Sequence, residues 1–120
     1  MTKPIIIKNI IKKYNKTIYV EGDKSLSIRF ALLAAQAIGK SKAYGILKSE
    51  DVLSSLNCLK KLGVKVKIGK KNCEIFGNGI NSFIYKDNLV LNAGNSGTTA
   101  RLIASVLVNS PKTIKIVGDA

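Results

Sequence analysis

The sequence has no histidine and no tryptophan, and only two cysteines, two prolines, two arginines and seven carboxylate side chains. Without histidine the commonest general base near neutral pH is missing, which argues against a histidine-dependent nucleophilic triad. The same absence removes the commonest metal ligand. Cys58 and Cys73 form no close-spaced pair, so no metal site is expected; both read as reduced structural thiols, Cys58 in a helix and Cys73 in a strand. No apolar run reaches membrane-spanning length and no charged-then-apolar leader opens the chain, so the expectation is no membrane and a cytoplasmic location. At 120 residues the chain is long enough for one real core and too short for two.

What the chain has in excess is lysine. Eighteen of its 20 basic residues are Lys, against seven acids, and the formal net charge is +13. Such a charge raises nucleic acid as a partner. Against it, the lysines occur singly or in pairs along the chain (Lys12-Lys13, Lys60-Lys61, Lys70-Lys71) and no aromatic residues interleave with them. A solvated lysine surface that draws in small polyanions is the expected account.

The most informative stretch is Gly22-Asp23-Lys24-Ser25-Leu26-Ser27-Ile28-Arg29. It reads as a glycine turn after a strand (Thr17 to Val20), opening a helix near Ser25 that runs to Ile38 and stops at Gly39. The helix is apolar on nearly every face from Leu26 on, so it is expected to be buried, with Arg29 requiring an anion to offset its desolvation. Ser25 lies one turn below Arg29, and Lys24 stands beside the free N–H groups of the helix start. A dipole end, a hydroxyl, an ammonium and a guanidinium fork make a phosphate or carboxylate site. The alternative is structural: Ser25 as helix cap, and Arg29 paired with Glu50 or Asp51.

A second copy of this arrangement favours the ligand reading. Gly94-Asn95-Ser96-Gly97-Thr98-Thr99-Ala100-Arg101 follows another strand-like run, Asn88 to Leu91, and opens another apolar helix. Gly22 and Gly94 are 72 residues apart, as are Arg29 and Arg101, the two arginines of the chain. A chain that uses Lys nearly everywhere else has Arg at both equivalent positions, as a rigid bidentate fork would require.

Between the two copies, a strand is expected at Ala43 to Leu47, and a helix from Ser49-Glu50-Asp51 to Leu62-Gly63, with Val52, Leu56, Leu59 and Leu62 as its buried stripe. A hairpin follows, Val64 to Ile68 and Cys73 to Phe76, then a short strand at Ser82 to Tyr85. Pro4 to Ile7 reads as a first strand and Tyr14-Asn15-Lys16 as a turn. Pro111 ends the third helix before a last strand at Thr113 to Val117. The order is β-α-β-α-β-β followed by the start of a duplicate, an α/β (α+β) chain expected to be the front piece of a longer repeat protein.

On the two motifs Gly22 to Arg29 and Asn95 to Arg101, with Ser49 to Val52 and Leu62 to Val64, the sequence closely resembles the enolpyruvyl transferases, in particular those acting on shikimate 3-phosphate. The resemblance implies β-α-β-α-β-β units in two domains. Residues 1–20 would belong to the other, hinge-connected domain, and residues 21–120 to the first unit and the start of the second. It implies transfer of the carboxyvinyl group of phosphoenolpyruvate to the 5-hydroxyl of shikimate 3-phosphate, with release of phosphate, no metal or organic cofactor, and a monomeric whole enzyme. Lys24, Ser25 and Arg29 match the family's shikimate-3-phosphate contacts, with Lys24 also reaching phosphoenolpyruvate as the catalytic cation. Asn95, Gly97 and Thr98 match the loop beside phosphoenolpyruvate, and Asp51 and Arg101 are placed in support, near Asn95 and Lys24. The family's acid/base carboxylates match no residue here. A sister class that uses UDP-N-acetylglucosamine typically has Lys-Asn in place of Lys24-Ser25 and lacks the counterpart of Arg29. A basic nucleic-acid-binding module is the alternative from a different class. The resulting expectation is that the 120-residue chain alone does not turn over; a phosphate-release assay with both substrates checks this, and measurable release overturns it.

Overall fold

The computed structural model describes residues 17–119 together with residues 6, 8, 13 and 15. Helix α1 (Lys24–Gln36) leads into strand β1 (Ile38–Tyr44), helix α2 (Glu50–Lys61) and the strands β2 (Lys65–Ile68) and β3 (Asn72–Asn78). Strand β4 (Leu89–Asn92), helix α3 (Gly97–Val106) and strand β5 (Ile114–Val117) follow. The expected α+β class is the observed one. Strands β1, β3 and β2 form an antiparallel sheet in that order, while β4 and β5 form a parallel pair joined through α3.

Helix α2 is the centre of the packing. Its predicted stripe, Val52, Leu56 and Leu59 with Leu62 just beyond, is fully buried. It meets Ile28, Ala31, Leu32 and Ala35 of α1, Cys73 and Ile75 of β3, Leu91 of β4 and Ile103 of α3 in one core. Glu50 and Asp51 stand in its first turn, Lys60 and Lys61 in its last, and Gly63 follows at φ +82°, an ending that favours glycine. Ser49 occupies the cap position, but its hydroxyl makes no cap bond and is buried without a partner. Among the described residues no side chain caps the α2 N-terminus, and its two acids stand in the positive first turn.

The structure departs from the sequence reading in four places. Helix α1 ends at Gln36, and the residues expected to finish it and turn, Ile38 to Ser41, are the first half of β1. Seven-residue pairing with β3, from Ile38↔Asn78 to Tyr44↔Asn72, outweighs their local preference. Nor is α1 buried all round: Leu26 and Leu33 are 67% and 69% exposed and Arg29 is exposed beside them. Thr17 to Val20 forms no strand, since no described residue pairs with it, and Tyr19 is 95% exposed. Ser82 to Tyr85 forms no strand either; Phe83 and Tyr85 pack against the core while Ile84 N–H donates to Leu62 O at 3.0 Å. The strand expected at residues 4–7 and the turn at 14–16 fall largely outside the described residues.

Two glycines are fixed by close approach. A Cβ on Gly77 would lie 2.2 Å from Ala37 O and 2.3 Å from Ala34 O, so β3 touches the end of α1 only because no side chain intervenes. One on Gly22 would lie 2.1 Å from Gly45 O. Gly77→Ala is expected to cost about 1–3 kcal/mol, the usual range for overpacking, and Leu56→Ala about 2–5 kcal/mol as a core truncation, both read from urea unfolding. Burial pushes the Cys58 and Cys73 thiols above their ordinary values, against the opposing pull of nearby lysines. Both should therefore resist alkylation at neutral pH until the protein unfolds.

Candidate anion site at the helix junctions

Each junction divides its polar residues between structural work and something else. At α1 the cap is Asp23, whose Oδ1 accepts from Leu26 N–H at 2.7 Å; it is not Ser25. Ser27 is buried, donates to Asp23 O at 2.7 Å and accepts from Leu47 N–H at 3.0 Å, tying α1 to the segment after β1. At α3 the cap is Ser96, whose Oγ accepts from Thr99 N–H at 3.1 Å. Thr99, the counterpart of Ser27 at the 72-residue offset, is buried and directs its hydroxyl to Asp51 O at 3.4 Å. The cap falls one residue later in the second copy, so the duplication keeps the docking hydroxyl and shifts the cap.

The remaining polar groups are unspent. Among the described residues, the Ser25 and Thr98 hydroxyls, the Asn95 amide and the Arg29 guanidinium make no side-chain hydrogen bond or ion pair. Lys24 does: its Nζ lies 2.8 Å from Asp51 Oδ2, with the two side chains 47% and 20% exposed. Asp51 therefore takes Lys24 through its carboxylate and Thr99 through its carbonyl, and the first turn of α2 links both junctions. The acid paired with this site is thus bound to Lys24 and not to Arg29, and an exposed Arg29 does not need an anion to offset burial.

Arg29 instead lines a groove of ≈ 300 Å³ with Leu32, Leu33, Leu102 and Val106 between α1 and α3. Arg101 folds back on its own helix, its Nε donating to Gly97 O at 3.1 Å, and among the described contacts it reaches neither Lys24 nor Asn95. Asn95 sits with Gly94, Glu50, Asp51 and Ser54 around a separate cavity of ≈ 300 Å³. Lys24 and Asn95 thus meet Asp51 at the first turn of α2, while Arg29 lies in the α1–α3 groove, and no common pocket encloses them among the described residues.

Gly97 differs from the other motif glycines. Gly22 is required by the Gly45 carbonyl, and Gly94 by its φ of +58°. A Cβ on Gly97 would meet nothing nearer than the Arg101 guanidinium at 3.8 Å, and its φ is not positive. Nothing in the described chain requires glycine there. Sequence reading missed Asp23 as cap and Ser27 and Thr99 as docking groups. The signal was available: hydroxyl residues recur at both positions of the repeat.

Two glycine-turn-to-helix junctions, 72 residues apart, are thus packed against the first turn of one shared helix. A solved EPSP synthase from Acinetobacter baumannii superposes with a TM-score of 0.79 at 33% identity, over 86% of this chain and 23% of that one. The family described as EPSP synthase (3-phosphoshikimate 1-carboxyvinyltransferase) matches residues 8–120, and the chain belongs to it. A 3-phosphoshikimate 1-carboxyvinyltransferase from Bacillus cytotoxicus is 41% identical over 108 residues, 90% of this chain and 25% of the relative. Those of Streptococcus pyogenes serotype M49 (42% over 103 residues, 86% and 24%) and Zymomonas mobilis (34% over 125 residues, 100% and 27%) are similar in the same way. The chain spans about a quarter of the length of these relatives.

The division of labour at α1 is directly testable. Asp23→Ala should cost about 1 kcal/mol of stability through loss of the cap, whereas Ser25→Ala should stay within about 0.5 kcal/mol. Equal losses in thermal or urea unfolding would return Ser25 to a structural role.

Proposed function

We propose that this chain supplies the first anion-binding wall of a 3-phosphoshikimate 1-carboxyvinyltransferase. In that reaction the carboxyvinyl carbon of phosphoenolpyruvate leaves its phosphate oxygen and bonds to the 5-hydroxyl oxygen of shikimate 3-phosphate, which gives up its proton as phosphate departs. Both substrates are polyanions, and positive groups are needed to hold them together against their mutual repulsion. The observation that carries the reading is the unspent polar set. Ser25, Arg29, Asn95 and Thr98 have no partner among the described residues, although their neighbours at both junctions are fully engaged in capping and docking.

Lys24 fits the position between the two substrates. Its ammonium stands at the start of α1, where backbone N–H groups also point outward, and Asp51 balances it when no substrate is present. An incoming phosphate takes over part of that pairing, at a cost limited by the partial exposure of the pair. Ser25 and Arg29 then hold shikimate 3-phosphate, while Asn95 and Thr98 flank phosphoenolpyruvate. The open side of Gly97 lets ligand come against backbone. The engaged Arg101 and Asp51 act in support. Two buried free thiols fit a reducing cytoplasm, and no described helix is long and apolar enough to cross a membrane.

The test is NMR shift mapping or calorimetry with shikimate 3-phosphate on the 120-residue chain, wild type against Arg29→Lys. Shifts at residues 24–29 are expected, with affinity roughly tenfold weaker in the variant, about 1.4 kcal/mol, because an ammonium replaces a bidentate fork. Equal affinities would remove Arg29 from the site.

A further inference from the structure

The outer face of the three-stranded sheet takes no part in the site above. Helices α1 and α2 cover the other face, so Cys73, Ile75 and Gly77 are buried while Glu74 and Phe76 turn outward. The antiparallel register then sets Lys40 and Lys65 on either side of Phe76, and Lys42 and Lys67 on either side of Glu74. Tyr44, on the same face at the end of β1, is 72% exposed.

The aromatic rings on this face are presented flat. Lys65 and Lys67 Nζ stand 5.2 and 5.7 Å from the Phe76 ring centroid, and Lys42 Nζ stands 5.0 Å from that of Tyr44. A base can stack on such a ring when the lysine swings from its face to the neighbouring phosphate. Glu74, 3.6 Å from Lys42 and 4.0 Å from Lys40, offsets one of four positive charges and leaves the face cationic. Along the chain no aromatic residues interleave with the lysines as a stacking platform would need. Strand pairing produces across the sheet the interleaving that the chain lacks along its length.

We propose that this sheet face binds single-stranded nucleic acid, with phosphates along the lysine rows and bases stacked on Tyr44 and Phe76. Duplex is disfavoured because the flat face carries no element that could enter a groove. A lipid surface is disfavoured because Phe76 lies partly buried among lysine stems and does not project as a membrane anchor. The inference stands independently of the carboxyvinyl-transfer reading.

Fluorescence anisotropy with a labelled 12-nucleotide oligo(U) tests it on the 120-residue chain. Binding should weaken with salt at a log–log slope of about −2, as neutralisation of roughly three phosphates requires for a single strand. Lys40→Gln/Lys65→Gln/Lys67→Gln should weaken binding at least tenfold, and Tyr44→Ala roughly fivefold or more through lost stacking. A charge-matched control, Lys60→Gln/Lys86→Gln/Lys115→Gln, should lose less than threefold. All substituted side chains are exposed, and thermal unfolding of each variant checks that it folds. No binding by wild type at low salt, equal losses in the two triple variants, or no effect of Tyr44→Ala overturns the proposal. Tighter binding to duplex or to anionic vesicles than to oligo(U) overturns it as well.

Discussion

The structure depends on the first turn of α2. A helix beginning Glu50-Asp51 places carboxylates where its own dipole is positive, and the same turn receives the Lys24 ammonium from α1 and the Thr99 hydroxyl from α3. Three helix starts are thereby brought to one region. Asp51 places a carboxylate among their positive ends. The ion pair itself is partly exposed and adds little stability, at most about 1 kcal/mol. Its importance is positional, since it fixes the Lys24 ammonium between the starts of α1 and α2. The packing behind it, centred on Val52, Leu56 and Leu59, supplies the rigidity.

Much of this was legible in the sequence because strong local signals agreed with one another. The α2 stripe, its acidic start, its basic end and Gly63 all point the same way, and the structure follows them. The duplicated junctions were visible because glycine, hydroxyl and arginine recur at a fixed offset. Other features depend on partners that local sequence does not name. Ile38 to Ser41 reads as helix end and turn until β3 provides a ladder for it. Thr17 to Val20 has strand composition, yet no described segment pairs with it. An apolar composition on every face predicts a fully covered α1, whereas Leu26 and Leu33 face outward beside Arg29.

The candidate site's residues could be named from the sequence, but their bonding could not. Residue types at a helix start identify a group of possible caps, and only coordinates show that Asp23 and Ser96 take that role and leave Ser25 and Thr98 free. Arg29 and Arg101 look equivalent in sequence but differ in the fold. One is exposed beside a groove and the other is bonded to its own helix. The duplication thus preserves the scaffold more strictly than the way each copy uses its side chains.

The parallel pair β4 and β5 has four residues in each strand and no third strand among the described residues, in contrast to the antiparallel sheet that α1 and α2 cover. Its amides have only one neighbour to bond, and parallel ladders normally lie inside larger sheets. Backbone opening should therefore begin at this end of the molecule, while the α2 segment holds on to its protons longest. In the proposed anion site, the half carried by Asn95, Gly97 and Thr98 would then be the more pliable wall, and the half carried by Lys24, Ser25 and Arg29 the firmer one.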